Sequence, residues 1–280
     1  MRYKTFLQRA SITAVVAAVA FTAAVMNAVD RAAGGETGAR GSGVVVDADV
    51  VYRRVVTPDG STVPLALDVH RTGGAASGRR AAVILVHGGA FSGGSKADMA
   101  GYANTFAERG FVVFSIDYRL RPGYDWFDEQ ARADAARDAR ADAVAAVEWV
   151  RANAEAYGVD PAWIFASGFS AGAIVAFDLA APAPGEPDAG VAGVAPVAGY
   201  ANAVPAPGAA PVLAFAGGGD TIIEPRLTTE SCAEFRAAGT QCRTVTYRGM
   251  QHDFGFFLAA DIADAAADFF ASIVRLGTAA

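Results

Sequence analysis

The sequence predicts an α/β fold: a mainly parallel sheet with helices on both faces and an antiparallel hairpin at its start. Three observations predict it. Short, uninterrupted apolar runs recur along the chain, as strands buried on both faces require. Helical segments alternate with those runs, which is the pattern of a parallel sheet. The first two strand candidates, by contrast, are joined by a four-residue turn, too short for a crossover, so they must pair antiparallel.

In order, Val50–Val56 and Thr62–Arg71 form that hairpin around Thr57-Pro58-Asp59-Gly60, whose Pro, Asp and Gly carry turn chemistry. The apolar runs Ala82–Val86, Phe111–Ile116, Trp163–Ser167, Val191–Val197 and Val212–Ala216 follow, and Thr244–Tyr247 closes the series. The clearest helix runs from Glu129 to Tyr157. Ala143, Val147 and Val150 form its apolar face, and Gly158 stops it. Ala171–Leu179, Thr228–Ala238 and Asp261–Leu276 are further helices. Nothing divides residues 44–280 into two domains.

Composition narrows the function. The chain has 280 residues, 53% of them hydrophobic and 19% charged, enough to bury a full core without a disulfide scaffold. A net charge of −6 with no basic patch argues against nucleic acid as a partner. Three His and two Cys leave little material for a zinc site, so no metal is expected.

The first residues read as an address. Arg2, Lys4 and Arg9 precede residues 10–29, which carry no charge. A basic segment before an apolar one is the pattern of a secretory signal. Residues 1–30 are therefore expected to be a signal peptide, with an uncleaved membrane anchor through residues 10–29 as the alternative. Both place the rest of the chain outside the cytoplasm. Residues 31–43 are Gly-rich and polar and read as a tether. The apolar leader also explains part of the positive mean hydropathy, without a multi-pass membrane protein.

The chemistry lies in two motifs. Gly168-Phe169-Ser170-Ala171-Gly172 follows a buried strand and opens a helix. That is the context of a nucleophile elbow, in which a sharp strand-to-helix turn exposes the Ser hydroxyl and crowds both Gly positions. Taken alone, the pattern also fits a Ser helix cap. His87-Gly88-Gly89-Ala90-Phe91 directly follows the strand Ala82–Val86. With both motifs in this order, residues 50–276 resemble the α/β-hydrolase superfamily, in its HGGG-type esterase and lipase branch. Asp117-Tyr118-Arg119-Leu120 and Tyr157-Gly158-Val159-Asp160-Pro161 are similar to segments of hormone-sensitive-lipase-like and small bacterial esterases. Ala90 departs from the Gly of many relatives. The resemblance implies an oxyanion hole from the backbone N–H groups of Gly89, Ala90 and Ala171.

Ser170 needs a base to become nucleophilic. His87 belongs to the oxyanion loop, and His70 lies in an early strand. Elimination leaves His252, in the loop between the last strand and the last helix. The acid should lie between Ser and His in the chain. Asp220, after the strand Val212–Ala216, is the candidate, and Glu224 is the alternative because Pro225 sits one place late for the family pattern. Asp188 is too far upstream, and Asp253 adjoins His252 without being placed to orient it. Phe91, Trp126 and Phe169 are expected to contact substrate, with Tyr124 and Phe127 near the mouth. Cys232 and Cys242 are expected to pair in an oxidising compartment.

The expected function is an exported serine hydrolase of carboxylic esters, of short chain or with bulky exposed groups. It needs no cofactor, has no large cap domain, and takes a small-molecule ester as partner. A serine peptidase of the prolyl-oligopeptidase type and a non-catalytic hydrolase-like binding protein are the alternatives.

Overall fold

The computed structural model describes residues 43–57, 60–73 and 78–278. The expected export segment 1–30 falls outside them, as does the tether 31–43 except Gly43. Eight strands form one sheet: β1 (Val44–Val56), β2 (Thr62–Thr72), β3 (Arg80–Val86), β4 (Val112–Ile116), β5 (Val159–Phe169), β6 (Val194–Val197), β7 (Val212–Gly217) and β8 (Cys242–Tyr247). The helices are α1 (Ala100–Glu108), α2 (Glu129–Ala152), α3 (Ala154–Tyr157), α4 (Ala171–Ala180), α5 (Pro225–Ala237), α6 (Phe254–Phe257) and α7 (Ala259–Thr278). The spatial order is β1-β2-β4-β3-β5-β6-β7-β8. β2 pairs antiparallel with β1 and β4, and every later pairing is parallel.

The strand alternation divides the core. Ala82, Ile84 and Val86 face one layer, with α2, α4 and α5. Val83 and Leu85 face the other, with α1 and α7. Successive side chains point to opposite faces, so a run such as Ala82–Val86 must be apolar throughout to fill both layers. The core is therefore two-sided, with strand ends free for chemistry.

Several boundaries differ from the sequence reading. β1 begins six residues early, because Val44–Asp47 pair with Val69–Thr72 beyond a register shift. Asp49 lies in that bulge at φ 58°, and the bulge breaks the two-residue period that marks a strand. The helix expected over Glu129–Tyr157 is interrupted at Asn153, whose side chain donates to the Trp149 carbonyl at 2.8 Å. Gly158, at φ 65°, still terminates the helical segment. β6 is shorter than expected, covering Val194–Val197. From Ala198 to Pro211, between β6 and β7, the described chain forms no helix. Among the described residues no helix is long and apolar enough to cross a membrane.

Candidate active site

Ser170 stands between the end of β5 and the start of α4. Its backbone is forced to φ 55°, ψ −116°, a region that side-chain-bearing residues rarely occupy. The flanking glycines make this turn feasible. A Cβ on Gly168 would lie 2.4 Å from the Gly172 carbonyl oxygen, and one on Gly172 would lie 2.0 Å from the Val86 carbonyl oxygen. The Ser170 N–H donates to Val197 O at 2.9 Å, which fixes the elbow to β6.

His252 reaches Ser170 from the loop after β8. Its Nε2 lies 2.9 Å from Ser170 Oγ, and its Nδ1 lies 2.7 Å from Asp220 Oδ2. A carboxylate can only accept, so Nδ1 carries the proton and Nε2 accepts the serine hydroxyl proton. The other oxygen of Asp220, Oδ1, accepts from the N–H groups of Ile222 and Ile223 at 2.8 and 2.9 Å. Asp220 is thus buried, oriented and saturated on one side. Glu224 is exposed at the start of α5, with its carboxylate 3.7 Å from Arg226. It is Asp220 that meets His252. Asp188 accepts from the N–H of Gly190, and Asp253 stands just before α6. His70 is buried, 3.0 Å from Asn104 Oδ1.

The run Gly217-Gly218-Gly219 explains how the acid loop reaches the histidine loop. A Cβ on Gly217 would lie 2.7 Å from Met250 O, and one on Gly219 would lie 2.9 Å from Gln251 Nε2. The Gly219 N–H donates to Met250 O at 2.9 Å. The two loops lie flush because three consecutive residues lack side chains. Tyr102, from α1, adds a buried brace by donating to Gly255 O at 2.6 Å. Neither signal stands out in the sequence.

The loop after β3 lies against the nucleophile. A Cβ on Gly88 would come within 3.3 Å of the Ser170 Cβ. Gly89, Ala90 and Phe91 all have positive φ, at 104°, 52° and 58°. The N–H groups of Gly89 and Ala90 make no hydrogen bond among the described residues. Ala171 is the first residue of α4, where N–H groups lack helical acceptors. These are the three donors named from the sequence, and the helix dipole adds positive potential at the third.

Tyrosines hold this loop in shape. Tyr124 Oη donates to Ala90 O at 2.6 Å, and Tyr118 Oη donates to His87 O at 3.1 Å. His87 stacks on Tyr118 at 4.2 Å between centroids. Its Nδ1 donates to Gly88 O at 2.7 Å, and burial holds its pKa below the usual value.

The expected substrate contacts need one correction. Phe91 is fully buried between Tyr118 and Trp126. Its positive φ turns the ring into the core, so it anchors the loop and does not line a pocket. Phe169 is nearly buried, with its ring 5.1 Å from His252 and 4.6 Å from Phe256. Trp126 remains half-buried, with the Arg132 guanidinium 5.5 Å from its ring centre. Cys232, in α5, and Cys242, at the start of β8, form a disulfide with Cα atoms 5.2 Å apart.

A serine at a strand-to-helix elbow, a histidine after the last strand and a mainly parallel sheet with helices on both faces give the chain the α/β-hydrolase fold. Within it, residues 67–183 match the BD-FAE family model. Esterase LipC of Mycobacterium tuberculosis is 37% identical over 92 residues, which cover 32% of this chain and 20% of LipC. The match therefore spans a fifth of that relative. Among solved structures, Thermogutta terrifontis esterase 2 phosphorylated by paraoxon is 26% identical, with a TM-score of 0.65 over 82% of this chain and 94% of that one. Its propionate-bound form is 25% identical, again with a TM-score of 0.65, over 82% and 94%.

Proposed function

We propose that this chain hydrolyses carboxylic esters through Ser170, His252 and Asp220. The observation that carries the reading is the continuous chain from Ser170 Oγ through the imidazole to the Asp220 carboxylate. Ser170 Oγ attacks the ester carbonyl as His252 Nε2 takes its proton. Asp220 holds the tautomer and stabilises the imidazolium. The carbonyl oxygen, now negative, accepts from Gly89, Ala90 and Ala171; removing one such donor typically costs about 3–4 kcal/mol of transition-state stabilisation. His252 returns the proton to the leaving alcohol. Water, activated by the same histidine, then frees the acyl group.

The substrates this reading favours are short-chain esters or esters with bulky exposed groups. The esterase 2 similar to this chain has a propionate-bound form. Phe127, Val204, Ile222 and Phe257 stay exposed in the connections that follow β4, β6, β7 and β8, Phe257 at the end of α6. These connections surround the end of the sheet that carries Ser170, and their apolar side chains favour an apolar ester. Export is part of the same proposal. It is supported by the basic-then-apolar leader and by a disulfide, a bond that persists in oxidising compartments.

A fluorophosphonate probe tests the mechanism. The wild-type protein should label and Ser170→Ala should not, with kcat on a short ester falling about 10⁶-fold. An unlabelled wild type overturns the reading. A panel varying acyl length and alcohol bulk then defines the substrate, and cell fractionation with N-terminal sequencing checks export.

A further inference from the structure

The far end of the sheet holds a second cluster that ester hydrolysis does not use. β2 runs antiparallel to β4, so its last residues, Arg71 and Thr72, lie beside the beginning of β3, where Arg80 stands. Arg71, Thr72, Gly73, Arg80 and Val45 line a cavity of about 240 Å³. Arg80 pairs with Val159 at the start of β5, whereas Ser170 follows the end of that strand.

The charges in this cavity do not balance. Arg71 Nη2 is paired with Asp47 Oδ2 at 2.7 Å. Arg80 has no carboxylate partner among the described residues, and its Nη1 reaches only the Thr72 hydroxyl at 3.4 Å. The Nε of both arginines is shut off from solvent without a hydrogen-bond partner. Burial first, then the like charge of Arg71, hold the Arg80 guanidinium below its usual pKa. Two guanidiniums and one carboxylate leave one positive charge over, and a buried donor without an acceptor is destabilising. An anion in the cavity balances that charge.

We propose that Arg71 and Arg80 form a binding site for a phosphate-class oxyanion, supplied as free phosphate or as the headgroup of an anionic phospholipid. Guanidinium forks match phosphate oxygens. The Arg71 guanidinium can turn Nη1 to the ligand while Nη2 keeps Asp47. The outer nitrogens of Arg80 and the Thr72 hydroxyl approach from separate residues, which suits an acceptor with oxygens in several directions better than a planar carboxylate.

Thermal unfolding of the full chain tests this, in rising inorganic phosphate against sodium chloride of equal ionic strength. Saturating phosphate should raise the wild-type Tm by about 2–4 °C over chloride. Arg80→Gln should lose that increment. Arg80→Lys keeps the charge without the fork and should retain a smaller one, so the test survives if the Gln variant does not fold. A second arm measures binding to phosphatidylcholine vesicles with and without phosphatidylglycerol. Stronger recruitment of wild type than of the Arg80 variants by phosphatidylglycerol identifies the headgroup as the source. Discrimination by free phosphate alone identifies the soluble anion. If neither arm distinguishes wild type from the variants, the proposal is wrong.

Discussion

Ala90 is the residue at which conformational strain and chemistry meet. Its φ of 52° is a conformation that costs a side-chain-bearing residue roughly 1–2 kcal/mol, and Phe91 beside it is strained in the same sense. Such strain persists only where neighbours over-determine it. Tyr124 is one such neighbour, through its bond to the Ala90 carbonyl. The Arg121 N–H is another, donating to Phe91 O at 2.8 Å. Tyr124→Phe removes one hydrogen bond and little volume. It should lower kcat by about 2–10-fold, the equivalent of one net hydrogen bond. KM should change little, because the loss falls on the N–H donors that grip the transition state. A rise in KM at unchanged kcat would instead make Tyr124 a wall of the binding pocket. At this scale the sequence was informative wherever a residue type is irreplaceable. Ser170 is framed by glycines, and His252 emerges from only three histidines. It misled where direction mattered: Phe91 follows the motif closely, yet a positive φ sends its ring inward, and no spacing rule reads φ.

The elements show a similar division. Buried parallel strands were legible because two-sided burial demands apolar runs. β1 was read short because its bulge interrupts the alternation, and α2 was read long because Asn153 breaks the helix without a Gly or Pro. The Gly217–Gly219 run is visible in the sequence, but that it lets one loop lie flush on another is visible only in three dimensions. Cys232 and Cys242 tie α5 to β8 across a separation of 10 residues. Closing so short a loop in the unfolded chain is worth about 2–3 kcal/mol. The double replacement Cys232→Ala/Cys242→Ala should therefore lower Tm by about 5–10 °C. Activity at 25 °C should survive, because neither Cys touches Ser170, Asp220 or His252. Loss of activity without loss of Tm would show that the bond positions the Asp220 loop.

Across the whole molecule, Asp178 makes stability depend on pH. It is buried on α4 and accepts from both the backbone N–H and the side chain of Asn202, at 3.2 and 2.8 Å. Burial pushes its pKa up to about 7, although the Asn202 bonds and the Arg140 charge pull it down. An acid whose folded pKa is raised stabilises the fold while protonated. That contribution is complete below the unfolded value and is lost as pH rises through about 7. Asp178→Asn cannot titrate. The stability difference between variant and wild type should therefore shift by about 2–3 kcal/mol in the variant's favour between pH 5 and pH 8, measured by urea unfolding. Parallel pH curves would contradict this. The fold class itself was the most legible level, since it rests on many weak periodic signals that agree. The sheet also gives the site a common datum. Gly172, beside Ser170, abuts the carbonyl of Val86, and the loop proposed to receive the oxyanion departs from that same residue. Attacker and receiver are gauged from one point at the middle of the sheet. Loosening of the outermost strands leaves their spacing intact, whereas parting β3 from β5 upsets it directly. Heat should then switch the protein off in a single step, with the activity and circular dichroism curves sharing one midpoint.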